Sequence, residues 1–244
     1  VLFRSPKPQT PNPKPQTPLL VALAAQLRLN FSQTVSLATF NYEMSDEDFK
    51  EYRFPGTNRP LSLADFTTVT LLGKGSYAKV LLVRRAQDKR LYALKILKKK
   101  IVYERNQKRH VLAEKEILSA LTNRPFFVQF YGSFQNEKKL FFLIEYCPGG
   151  ELFRLIQTNK RLSEAHARFY ACQLALAIGD LHTRRIIYRD LKPENVMLDA
   201  DGYVKIVDFG LSKMIVTEGG QAKSICGTPE YFAPEIVSGQ KYGK

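Results

Sequence analysis

The chain has 244 residues, 44% of them hydrophobic and 25% charged, a balance that excludes collagen-like, wholly disordered and multi-pass membrane classes. Its 37 Lys and Arg against 23 Asp and Glu give a net charge of +14, which fits either a solvated basic surface or an anionic partner: nucleotide, phosphate, nucleic acid or acidic lipid. Cys147, Cys172 and Cys226 cannot all pair within one chain and fit no zinc spacing, so reduced thiols in the cytoplasm, or also the nucleus, are expected.

Residues 6–18, PKPQTPNPKPQTP, repeat with a period of seven and place proline at nearly every second position, an extended, solvated segment with no apolar face to bury. The whole stretch can be written in codons as uninterrupted CCCCAAA, which favours a simple-repeat origin over a selected P-x-x-P ligand. The longest apolar run, Leu19 to Leu27, is about half the length of a membrane span, so no transmembrane segment is expected. The first residue is Val, and the true N-terminus is expected to lie upstream. Residues 19–65 are weakly patterned and read as a linker or extension, with a helix start at Ser45-Asp46-Glu47-Asp48 and breaks at Pro55-Gly56 and Pro60.

From Phe66 the pattern sharpens. Strands are predicted at Val69–Leu72, Val80–Arg84 and Tyr92–Leu97, and a helix over Asn106–Leu121 on the period of Val111, Ile117, Leu118 and Leu121. Leu140–Tyr146 is a continuous apolar run and should be a buried strand. After Pro148-Gly149-Gly150, helices are predicted at Glu151–Gln157 and Ser163–Thr183, the second capped by Ser163. Short strands follow at Asn195–Leu198 and Val204–Ile206. The order is a β-rich part, a glycine-rich hinge and an α-rich part.

Chemistry concentrates in four places. Gly73-x-Gly75 after a strand lets backbone N–H groups approach phosphates. Ala78 stands at the third position of G-x-G-x-x-G, and a strand follows it, which argues against a dinucleotide fold. No G-x-x-x-x-G-K-[ST] occurs. Lys95 on an apolar strand needs a partner, and Glu114 on the next helix could reach back to it. In Tyr188-Arg189-Asp190-Leu191-Lys192-Pro193-Glu194-Asn195 a turn would put Asp190, Lys192 and Asn195 side by side, and Asp208-Phe209-Gly210 begins thirteen residues after Asn195. Asn195 and Asp208 offer hard oxygen ligands suited to Mg²⁺, Asp190 a carboxylate that can orient a hydroxyl, and Lys192 a fixed positive charge.

These motifs, with Ala233-Pro234-Glu235, resemble the eukaryotic protein kinases over residues 66–244. Tyr188 in place of the usual His, the hinge wording from Glu145 to Phe153, Leu191–Asn195 and Cys226-Gly227-Thr228-Pro229-Glu230-Tyr231 are similar to the AGC serine/threonine group, and Lys98–His110 leans toward its growth-factor-regulated members. The resemblance implies an α+β, two-lobed fold: N-lobe 66–144, hinge 145–150, C-lobe 151–244.

It also implies residue roles. ATP would lie under Leu72, Gly73, Lys74, Gly75, Ser76, Tyr77, Ala78, Lys79 and Val80. Lys95 would hold its α and β phosphates and pair with Glu114. Glu145 and Cys147 would offer backbone groups to adenine, Ile144 would be the gatekeeper, and Val80, Ala93 and Leu198 would sandwich the ring. Glu151 would reach the ribose, Asn195 and Asp208 would hold Mg²⁺, Asp190 would position the acceptor hydroxyl, and Lys192 would steady the γ-phosphate. Ser224 matches an activation-loop phosphosite, served by an upstream kinase, with His110, Arg189 and Lys213 as its phosphate pocket. Glu151 and Glu194 match positions that read arginines upstream of the acceptor, and Thr228 would pack beside Asp190 and Lys192.

The expected function is Mg²⁺- and ATP-dependent phosphorylation of Ser/Thr in protein substrates with upstream basic residues, and Leu211 after DFG leans toward serine. No nucleic-acid motif occurs. The family continues beyond Lys244 with further helices, so the C-lobe is expected to be incomplete, the apolar faces of Ser163–Thr183 exposed, and the isolated chain marginal in solubility and activity. The alternative is a catalytically inactive, truncated kinase acting as a binding or regulatory scaffold, favoured by the truncation and Ala78. Intact Lys95, Asp190, Asn195 and Asp208 favour the enzyme.

Overall fold

The computed structural model describes residues 61–75, 78–215 and 220–243. The proline-rich repeat, most of the 19–65 segment, and Ser76 and Tyr77 of the glycine turn lie outside the described residues.

Five antiparallel strands form the first lobe: β1 (Phe66–Lys74), β2 (Ala78–Arg85), β3 (Leu91–Lys98), β4 (Phe130–Gln135) and β5 (Lys139–Glu145), in the order β1-β2-β3-β5-β4. Side chains alternate across such a sheet, so each strand feeds two cores. On β3, Tyr92, Leu94 and Ile96 join Val83, Phe134, Phe141 and Leu143 on one face. Ala93 and Leu97 join Leu82, Phe142 and Ile144 on the other. Lys95 has the parity of Ala93 and Leu97, so it points toward the helices that cover this second face.

Those helices are α1 (Lys99–Glu104) and α2 (Lys108–Ala120). Val111, Leu112, Glu114, Ile117 and Leu118 of α2 are buried, at the i, i+3, i+4, i+7 spacing of an amphipathic helix. Each fully buried Phe or Leu contributes about 1.5–3 kcal/mol, and Phe142, Leu143 and Leu97 are wholly inaccessible to solvent.

The hinge leads into β6 (Gly150–Glu151), α3 (Leu152–Asn159) and the long α4 (Glu164–Thr183). Ser163 caps α4 by accepting from the His166 backbone N–H at 3.3 Å, with Glu164 in the first turn and His182 in the last, the charge order that the helix dipole favours. Then come β7 (Ile186–Ile187), β8 (Val196–Leu198), β9 (Val204–Ile206), β10 (Lys213–Met214) and a one-turn α5 (Pro234–Val237). β6, β8 and β9 make a small sheet, and β7 pairs with β10. The core of the first lobe continues through Leu181, Ile186, Tyr188, Met197, Ile206, Val207 and Phe209, so the two lobes share one apolar interior.

Every strand and helix predicted within the described residues occurs, with ends shifted by no more than three residues; the helix start at Ser45 lies outside the described residues, and α1, β4, β6, β7, β10 and α5 were not predicted. Large apolar side chains of α4 are not exposed as expected. Leu174, Leu176 and Ile178 pack, half-buried, against the shared core. No described helix is long and apolar enough to cross a membrane.

Candidate active site

Two strands and a helix converge on Lys95. Its Nζ donates to Glu114 Oε1 at 2.5 Å and lies 3.3 Å from Asp208 Oδ1. The Lys95 and Glu114 side chains are 13% and 5% exposed, whereas Asp208 is 43% exposed and opens to the cleft. Burial pushes the Glu114 carboxyl up, opposed by the neighbouring Lys95 charge. Lys95 also holds the Asp208 carboxyl below its ordinary value of 3.8, so Asp208 is ionised and aimed at open space.

Asp208 adopts φ 59° and Arg189 φ 72°, a backbone region that non-glycine residues enter at a cost of about 1–3 kcal/mol. Packing holds both in place. Phe209 is fully buried, with ring contacts to Phe127 and Tyr188. The buried Tyr188 hydroxyl donates to the Val207 carbonyl immediately before Asp208. Ser212 Oγ donates to the Tyr188 carbonyl at 3.1 Å.

The turn after Tyr188 gathers the other polar groups. Asn195 Nδ2 donates to Asp190 Oδ2 at 2.8 Å and to the Asp190 carbonyl at 2.9 Å. Lys192 Nζ lies 3.2 Å from Asp190 Oδ2 and donates to Thr228 Oγ1 at 2.6 Å. Thr228 Oγ1 in turn donates to Asp190 Oδ1 at 2.7 Å. Asp190 is thereby fixed on both oxygens. With the Asn195 nitrogen committed to Asp190, its amide oxygen is the atom left for a cation. Among the described residues no group of three or more His, Cys, Asp or Glu side chains could hold a metal. A site of one carboxylate and one amide oxygen, completed by phosphates and water, is instead the donor set that Mg²⁺ accepts.

An apolar pocket lies beside Lys95, lined by Leu72, Ala93, Ile144, Glu145, Tyr146, Cys147, Met197 and Val207. Its floor corrects one expectation. Met197, not Leu198, faces the pocket; Leu198 belongs to a separate core with Leu152, Phe169 and Tyr170. Neighbouring strand residues point to opposite faces, so an error of one position exchanges pocket for core. Leu198 instead seats the hinge. Its carbonyl accepts from the Gly149 N–H at 3.0 Å, and a Cβ at Gly149 would stand 2.7 Å from Leu198 Cβ. Val207 also lines the pocket and was not anticipated. Val80 is half-buried against the shared core, and the glycine turn is closed by the Gly75 N–H donating to the Ala78 carbonyl at 2.8 Å. Lys74 and Lys79 pair across that turn.

Glu151 is buried on β6, and Glu194 lies on the adjacent 3₁₀ turn with Oε2 buried and without a partner. Of the three proposed phosphate-pocket residues, Arg189 reaches Ser224: its Nη1 donates to Ser224 Oγ at 2.7 Å, while Nε donates to the Leu211 carbonyl at 2.5 Å. His110 is exposed on α2 with Nδ1 2.9 Å from Gln107 Oε1, and Lys213 is exposed on β10.

The protein kinase domain family model matches residues 66–244. The chain is 44% identical over 189 residues to atypical protein kinase C of Drosophila melanogaster, covering 78% of this chain and 31% of that protein. It is 43% identical over 206 residues to serine/threonine-protein kinase sgk-1 of Caenorhabditis elegans, covering 84% and 44%. To serine/threonine-protein kinase Sgk1 of Danio rerio it is 42% identical over 190 residues, covering 78% and 44%. These relatives are AGC serine/threonine kinases. The chain spans less than half the length of each.

Proposed function

The chain belongs to the protein kinase domain family, and from that premise we propose that it transfers the γ-phosphate of ATP to serine and threonine hydroxyls of protein substrates. The observation that carries this is the position of Lys95, bonded at once to Glu114 and Asp208. One buried cation then stands against an ionised carboxylate facing the cleft, two residues along β3 from Ala93 of the apolar pocket. Adenine would lie against the apolar surfaces of Leu72, Ala93, Ile144 and Met197, with its phosphates toward Lys95 and Asp190.

Asp208 and the Asn195 amide oxygen would hold Mg²⁺, which neutralises phosphate charge when bound. Asp190, fixed by Asn195 and Thr228, orients the acceptor hydroxyl and takes its proton. Lys192, 3.2 Å from Asp190, stabilises the charge that moves between donor and acceptor. Positioning and charge neutralisation supply most of the acceleration.

Buried Glu151 and the unpartnered Glu194 oxygen support a preference for arginine upstream of the acceptor. Arg189 beside Ser224 supports control by an upstream kinase acting on that serine. The cytoplasm, with the nucleus beside it, is the proposed setting. A Ser/Thr peptide array with Mg²⁺ and ATP tests the proposal: transfer should concentrate on peptides with upstream Arg, and Glu194→Gln should flatten that preference. Nucleotide binding without transfer to any peptide would favour the scaffold reading instead.

A further inference from the structure

Tyr242 belongs to none of the motifs read from the sequence, yet its hydroxyl sits among their side chains. It donates to the Ser224 carbonyl at 2.6 Å. It accepts from Arg189 Nη1 at 3.5 Å, the same nitrogen that donates to Ser224 Oγ, and it stands 3.9 Å from Cys226 Sγ. The backbone is joined too. Tyr242 and Ala222 exchange both N–H···O bonds, at 2.7 and 2.9 Å, as an isolated antiparallel bridge. The ring is 7% exposed and packs with Ile187, Ile215, Ala222 and Ile236. A tyrosine buried this deeply keeps its O–H paired, because an unsatisfied hydroxyl in an apolar setting is costly. Here the acceptor is the backbone of the segment that carries Ser224.

That segment is held again four residues later. Thr228 Oγ1 bonds Asp190 and Lys192. Gly227, at φ 115°, lies so close to Arg189 that a Cβ would stand 2.5 Å from the Arg189 carbonyl. The residues from Ser224 to Thr228 therefore run as a short strap between two anchors. One anchor is the proposed catalytic carboxylate, and the other is the Tyr242 hydroxyl.

We propose that Tyr242 is a positioning residue: its hydroxyl holds the Ser224 backbone beside Arg189 and so keeps Thr228 aligned with Asp190 for the protein acceptor. The bond is to the carbonyl of Ser224, not to its side chain. A phosphate on Ser224 Oγ would draw on Arg189 and leave the Tyr242 anchor in place, so the anchor serves both forms of the serine. The proposal rests on the phosphotransfer reading of the Asp190 site. It does not require Ser224 to be phosphorylated.

The test is Tyr242→Phe, which keeps the ring in its apolar cluster and removes only the hydroxyl. Hydrogen exchange of the peptide covering Ala222–Thr228 is expected to quicken by about five- to tenfold, the effect of one lost buried hydrogen bond. Exchange of α4 should not change, and the melting temperature should fall by no more than about 2–4 °C, the share of that one bond. In steady-state transfer, the KM for protein substrate should rise several-fold and kcat should fall, with the KM for ATP unchanged, because neither Tyr242 nor the segment it holds lines the apolar pocket. Unchanged exchange and kinetics would overturn the proposal. So would a uniform rise in exchange with a lower kcat and both KM values unchanged, which is the mark of general destabilisation.

Two further outcomes separate the underlying readings. If Ser224→Ala has no kinetic effect while Tyr242→Phe does, the phosphosite fails and the anchor stands. If the unsubstituted chain transfers no phosphate, the phosphotransfer reading fails, and the exchange measurement alone decides whether the hydroxyl holds the strap.

Discussion

Glu145, the last residue of β5, reaches across the hinge to Lys205 on β9 with an Oε2–Nζ distance of 3.2 Å. The same oxygen accepts from the Gln129 N–H at 2.9 Å. One carboxylate thus ties the hinge to the strand that ends two residues before Asp208. The two side chains are 18% and 22% exposed, so solvent screens the pair only in part.

A double-mutant cycle with Glu145→Gln and Lys205→Met should give a coupling of about 0.5–1 kcal/mol in chain stability. Nucleotide affinity should fall about two- to fivefold in either single variant, read by fluorescence titration. A coupling of zero would show that the contact does not join the lobes energetically.

Lys95 and Glu114 form a more enclosed pair. Lys95→Met leaves the Glu114 carboxylate buried without its cation, and should destabilise the chain by about 3 kcal/mol in denaturant unfolding. Adding Glu114→Leu should recover most of that loss, since a packed apolar pair avoids the desolvation cost, while transfer activity stays absent. Stability unrecovered in the double variant would contradict this account of the pair.

Two glycines should respond to alanine in opposite ways. Gly227→Ala, with φ 115° and a Cβ 2.5 Å from the Arg189 carbonyl, should cost about 2 kcal/mol or more and loosen the strap. Gly179→Ala, four residues before the end of α4 with nothing within 4 Å of a Cβ, should stabilise by up to about 1 kcal/mol. Thermal or urea melts of the two variants check both signs.

Tyr92 gives a pH signature remote from the site. Its hydroxyl donates to Asp88 Oδ2 at 2.7 Å. Burial first, and the Asp88 acceptor second, push its ionisation from 10.0 up to about 12. The neutral phenol is the form that the fold favours. Its contribution is therefore complete below pH 10 and is lost as pH rises from 10 through about 12. Stability of the unsubstituted chain should fall more steeply over that range than stability of Tyr92→Phe. Parallel curves would contradict the assignment.

Much of the site was legible because its chemistry is local in sequence. Asp190, Lys192 and Asn195 fall within six residues, and Lys95 betrays itself as a charge on an apolar strand. Other features depend on distant pairing. Leu198 was expected to sandwich adenine, yet Met197 lines the apolar pocket instead, because β8 has three residues and too short a pattern to reveal its face. The strand β4 was missed because Gly132, at φ 139°, accompanies a register shift that interrupts the alternation. The helix α1 is six residues long, three of them its lysines and an acid at its ends, with only Val102 buried, so no apolar period marks it. Tyr242 carries no signal until the chain brings it against Ala222 and Ser224.

The most direct measurement of the central claim is transfer of labelled γ-phosphate to a Ser peptide with upstream Arg, by the unsubstituted chain and by Asp190→Asn. Asp190→Asn keeps the shape of the side chain held by Asn195 and Thr228 and removes its basicity. The account predicts unchanged nucleotide binding and a loss of about 10²–10⁴ in kcat. Equal rates from the two proteins would contradict it, since the carboxylate at the centre of the network would then have no part in the reaction.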